Sequence, residues 1–217
     1  MFARPHLKKI LICTAGLFTL ILQACQVAAE PTPAANEPPA ATEISGPLGE
    51  FNSKAGELEL SFQNLNQQIL DNPGEMAAAA MQQLGAEDQA IRFAALYALA
   101  NTAESEEHLN ALSDFLDSEI AGERLLASEA LLVRGEKEAI PVLIAALDSE
   151  EDLIYALPVQ QAWQRARELL LLFTVEDFGL ADAETFDLAA AAQPAWLGWW
   201  QQNGEAVQWF PEEGAYR

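Results

Sequence analysis

Side chains able to do chemistry are sparse in this chain. It has two cysteines, Cys13 and Cys25, and beyond residue 25 a single histidine, His108, set in a turn with Glu104, Glu106 and Glu107. Zinc needs three or four His, Cys or carboxylate ligands in fixed spacing, and a Ser-His-Asp relay needs partners converging on its imidazole; neither pattern is present. No G-x-S-x-G, G-x-G-x-x-G or P-loop segment occurs, so acyl-transfer and nucleotide sites lack their usual frame. Asp148, Glu150 and Asp152 sit at positions 1, 3 and 5 of a would-be calcium loop. Leu153 then replaces the required Gly at position 6, and Val159 replaces the Glu at position 12. Ser149 with Asp152 reads instead as a helix capping box. No catalytic residue, metal ligand or cofactor site is expected. The remaining candidate is aromatic: Trp196, Trp199 and Trp200 stand at i, i+3 and i+4, on one face of a helix.

The surroundings of Cys25 give it a different role. Arg4, Lys8 and Lys9 precede a stretch free of charge from Ile10 to Leu22, and Leu22-Gln23-Ala24-Cys25 follows at once. That stretch is too short for a membrane-spanning helix and suits the apolar core of an export signal. The tetrapeptide resembles the lipobox of bacterial lipoproteins. The resemblance implies cleavage between Ala24 and Cys25 and a diacylglycerol thioether, with palmitate-type chains, on Cys25. Two or three acyl chains suffice for stable anchoring. Gln26 at the next position implies, in a two-membrane bacterium, delivery to the outer membrane. Ordinary cleavage after Val27-Ala28-Ala29, releasing a soluble periplasmic or secreted protein, is the alternative. With Cys13 removed and Cys25 lipidated, the folded part has no thiol.

The segment 25–47 reads as a tether. Five of the 11 prolines fall there, among Ala, Thr, Glu and Asn, without apolar periodicity. Beyond it, Leu58, Phe62, Leu65, Ile69 and Leu70 recur at helical spacing. Asn72-Pro73-Gly74 ends that helix, and a second runs from about Glu75 to Leu84. The 40 alanines and 31 leucines favour helix over sheet, and no strand is expected.

A motif then repeats. Arg92-x-x-Ala95-x-x-Ala98-Leu99 recurs as Arg124-x-x-Ala127-x-x-Ala130-Leu131, and Asp117-Ser118-Glu119 recurs as Asp148-Ser149-Glu150. A period of 31 to 32 residues with one helical hairpin per unit signals stacked helix pairs. Alanines on one face let neighbours approach closely, and leucine fills the seam. With Glu138 to Leu147, where Pro141 stands in an opening helical turn, these residues resemble bacterial HEAT-like repeats across about 73–172. The resemblance implies an all-α fold, an α-solenoid of about three hairpins spanning 48–172, and a Trp-rich cap over 173–217. It also implies that Arg92 pairs with Asp88. Ile120 holds the equivalent place before Arg124, leaving Glu119 or Glu123 to serve it. In the third unit Val159 stands where Arg is expected, and 155–158 reads as an insertion or kink.

Pro194-Ala-Trp196-Leu-Gly-Trp199-Trp200, following Asp177-Phe178-Gly179, resembles tails that close some bacterial HEAT-repeat proteins. Trp209 and Phe210 are expected to join the same cluster. An aromatic ligand patch is the alternative use of these indoles.

Beyond the signal, 33 acidic residues face 8 basic ones, a net charge of −25. Such a polyanion repels phosphate backbones, and nucleic acid is excluded as a partner. The expectation is a lipid-anchored scaffold outside the cytoplasm that binds an unidentified envelope protein on a face lined by 88–101, 120–134 and 151–172. An envelope enzyme, a hydrolase or one similar to the HEAT-like phycobilin lyases, and a small-ligand binder using the tryptophans are the alternatives.

Overall fold

The computed structural model of the chain describes residues 58–153, 156 and 159–217. The expected export signal and tether, Cys25, and Tyr155 and Pro158 of the expected insertion lie outside the described residues. The described part is mostly helical, with eight α-helices: α1 (Leu58–Asp71), α2 (Pro73–Gln83), α3 (Gln89–Thr102), α4 (Glu106–Ser113), α5 (Ala121–Leu132), α6 (Ile140–Ala146), α7 (Ala162–Phe173) and α8 (Phe186–Asn203).

Each helix starts where local chemistry permits. Pro73 opens α2 and Pro141 lies in the first turn of α6, where a missing N–H costs nothing. Asp88 accepts hydrogen bonds from the Ala90 and Ile91 amides and so caps α3, and the Ser105 hydroxyl accepts from the His108 amide at the start of α4. Helix α5 has Ile120 at its cap and no cap of its own. Its Ala121 amide donates instead to the Glu151 carboxylate, 3.0 Å away and thirty residues on. A negative group at a helix N-terminus also meets the positive end of the dipole.

The repeated motif is buried at its apolar positions. Ala95, Ala98, Leu99, Ala127 and Ala130 have no exposed surface, and Leu131 has almost none. Helices α3 and α5 pack on each other, with α2 against α3 and α6 against α5, and α7 follows on α5 and α6. Burial of Phe93 to Ala100 and of Leu125 to Leu132 leaves neither helix a polar flank, as fits an element enclosed on all sides.

The helical reading needs correcting in several places. Two short antiparallel hairpins occur: β1 (Asp152–Leu153) with β2 (Gln160–Gln161), and β3 (Trp209–Phe210) with β4 (Ala215–Tyr216). Asp152 therefore pairs with Gln161 in a strand and caps no helix with Ser149; the capping box belongs to Gln161 and Gln164, at the start of α7. Helix α7 begins eleven residues later than the expected 151 because the β1–β2 hairpin comes first.

Candidate functional site

The fourth residue of α3 is Arg92, that of α5 is Arg124 and that of α7 is Arg165. The first two make the same contact with their own chain. Arg92 donates to the Ala86 carbonyl and Arg124 to the Ser118 carbonyl, six residues back in each case. Both then reach forward. The Arg92 Nε donates to Glu123 at 2.9 Å, and the Arg124 guanidinium stands 3.7 Å from Glu151. Arg165 reaches back instead, to Glu129 of α5, and also pairs with Glu168. Burial opposes the charge on Arg165, but Glu129 and Glu168 outweigh it and hold the guanidinium above its ordinary value.

Glu123 and Glu129 are themselves buried, an arrangement that persists only where cations and hydroxyls satisfy the carboxylate. The Ser118 hydroxyl supplies the second bond to Glu123 at 2.6 Å. Arg92–Glu123 and Arg124–Glu151 thus form a rim of alternating charge at the starts of α3 and α5, and Arg165 at the start of α7 meets Glu129 in the last third of α5. Exposed Glu87 and Glu119 lie in the loops before α3 and α5, and exposed Glu150 lies before the β1–β2 hairpin that precedes α7.

The expected Arg92–Asp88 pair is not made, because Asp88 is occupied as the α3 cap and Arg92 bonds Glu123. Neither Glu119 nor Glu123 serves Arg124; Glu151 does. Arg165 shares only the fourth helical position with Arg92 and Arg124: it makes no bond to the carbonyl six residues back, and Glu168 and Leu171 stand where the motif has alanines. The face expected for recognition is largely buried. Helices α3 and α5 are enclosed along most of their length, so only their first turns and α7 offer surface there.

Arg134 and Lys137 do different work. Arg134 donates to the carbonyls of Ala100, Ala103 and Ala130, clamping the C-terminal ends of α3 and α5. Burial pulls its pKa below the ordinary value, with nearby Glu104 opposing. A cation among helix C-terminal carbonyls meets the negative end of both dipoles. Lys137 donates to the Gly204, Glu205 and Val207 carbonyls just beyond α8.

Of the three indoles on α8, Trp196 is fully buried and Trp199 and Trp200 are half-buried. Trp196 and Trp199 meet edge to face at 5.7 Å, and Phe178 meets Trp196 edge to face at 5.1 Å. Phe178 holds a left-handed backbone, φ +48°, unusual for a side chain of that size. A cleft of about 180 Å³ lies beside Trp199, lined also by Glu176, Asn203 and Arg217. Trp209 packs on Phe173 and Tyr216 in a second aromatic group, and the Arg217 guanidinium sits 4.1 Å from the Phe210 ring centre.

His108 is half-buried, and its Nδ1 accepts from the Glu104 amide at 3.4 Å. Among the described residues no helix is long and apolar enough to cross a membrane. Comparison with protein-family models, curated proteins and solved structures finds no match to this chain.

Proposed function

We propose that the chain is a scaffold outside the cytoplasm, held to a membrane through lipid on Cys25 and built as a short HEAT-like α-solenoid closed by the Trp-bearing helix α8. Its task is to dock a protein of the cell envelope. The observation that carries the helix-pair reading is the equivalence of Arg92 and Arg124. Each lies four residues into its helix, bonds the carbonyl six residues back, and engages a glutamate of the following unit. Tandem units that complete one another through such side chains bury a continuous core only when stacked. Glu151 supplying the missing cap of α5 supports the same reading.

The docking surface is the charged rim, with Glu87, Glu119 and Glu150 as its exposed acids and Arg92, Arg124 and Arg165 behind them. Electrostatic complementarity of this kind sets partner choice and encounter rate more than affinity. Two experiments test the proposal. The mass of the N-terminal peptide of the membrane-extracted protein is expected to show Cys25 as the first residue, carrying acyl chains; an unmodified Cys25, or a start at Glu30, overturns the anchor. Reversal of the rim charges by Glu87→Lys, Glu119→Lys and Glu150→Lys is expected to abolish partner capture while leaving the helical signal unchanged. Undiminished capture overturns the docking surface.

A further inference from the structure

The last fourteen residues lie across the ends of other helices. The Tyr216 hydroxyl donates to the Leu132 carbonyl at the end of α5, 3.0 Å away, and the Tyr216 ring is fully buried. Its backbone bridges Thr174, just past α7. Trp209 lies against Gly135, where an added Cβ would stand 3.1 Å from the indole. It also meets Tyr216 at 4.8 Å and Phe173 at 6.2 Å. Within the segment, Gln208 and Arg217 exchange two backbone hydrogen bonds, and Arg217 pairs with Glu213. It is thus a hairpin held to the body by Trp209, Tyr216 and buried Val207 and by hydrogen bonds from Lys137.

Charge opposes that docking. The segment carries Glu205, Glu212 and Glu213, all exposed, against the single Arg217, which is engaged inside it. The loop that receives it reads Glu136-Lys137-Glu138, and both glutamates act electrostatically on Tyr216. Every cation of the described body is already committed: Arg92, Arg124 and Arg165 to glutamates, and Arg134, Lys137 and Arg167 to backbone carbonyls. The 28 acidic residues among 58–217 are set against only 7 basic ones. An anionic strap therefore closes on an anionic body by apolar contact, against a repulsion that salt screens.

We propose that residues 204–217 form an ionic-strength-sensitive strap, closing over the ends of α5 and α7 in salt and loosening when salt is removed. Between about 0.01 M and about 1 M salt the screening length falls from ~30 Å to ~3 Å, so long-range repulsion is almost removed while the aromatic contacts persist. The test is backbone hydrogen exchange of the full chain at several potassium chloride concentrations, comparing 208–217 with the α3 core. Exchange in 208–217 is expected to slow several-fold more than exchange in α3 as salt rises. In the exposed-surface variant Glu205→Gln/Glu212→Gln/Glu213→Gln this excess is expected to vanish. If the two regions respond in step at every concentration, the strap is simply part of the core and the proposal fails. Faster exchange of 208–217 in salt, or an unchanged excess in the triple variant, contradicts the repulsion directly.

Discussion

Glu123 is one of two buried carboxylates among the described residues, each paired with an arginine. It is almost fully buried and takes Arg92 from one unit and Ser118 from its own. Truncating one partner of such a pair leaves the other desolvated. Glu123→Ala is therefore expected to cost about 2–4 kcal/mol in denaturant unfolding, near the figure for a broken buried pair. Asp88→Ala, which removes only a helix cap, is expected to cost about 1 kcal/mol. Similar losses for both would mean that Asp88, and not Glu123, anchors Arg92. Tyr216 supplies a pH signature. Burial, with Glu136 and Glu138 adding, pushes its phenol above the ordinary value. Its contribution is thus complete below about pH 10, the unfolded value, and is lost as pH rises toward the folded one. Tyr216→Phe is expected to flatten the stability loss above about pH 10 relative to the parent chain. An identical alkaline slope would remove Tyr216 as its source.

At the scale of elements, Gly135 marks the place where the strap meets the turn after α5. Its φ of +91° suits glycine alone, and Trp209 occupies the space a side chain would need. Gly135→Ala is expected to destabilise by about 1–3 kcal/mol and to raise the exposure of Trp209 seen by indole fluorescence. An unchanged melting curve and emission would show that the turn tolerates a side chain. Most helices could be read from sequence because apolar spacing and capping chemistry are local: α1 and α2 lie close to their expected bounds, and the motif alanines at 95, 98, 127 and 130 are buried. The two hairpins could not. Each strand is two residues long, too short for alternation to register, and β1–β2 also displaced α7. The ion pairs were hidden for a related reason. Arg92 and Glu123 are 31 residues apart and meet only once α3 and α5 pack, whereas Asp88, the nearer candidate, is spent on the α3 cap.

On the scale of the whole molecule, burial redirects the functional reading. Ala-rich helices pack so closely that α3 and α5 lose most of their surface, and the proposed docking surface is therefore set at the rim where α3, α5 and α7 begin. Along that rim Glu87, Glu119 and Glu150 recur at intervals of 32 and 31 residues, the first two in the loops before α3 and α5 and the third before the β1–β2 hairpin that leads into α7. The proposed scaffold would use this charged surface for docking. The direct test is photo-crosslinking in cells from the full-length protein, with the reactive group placed in turn at Glu87, Glu119, Glu150 and, as a control on the exposed side of α4, Asn110. One discrete adduct, shared by the three rim positions and absent from Asn110, is expected. Adducts from Asn110 alone, or no adduct from any rim position, would contradict it.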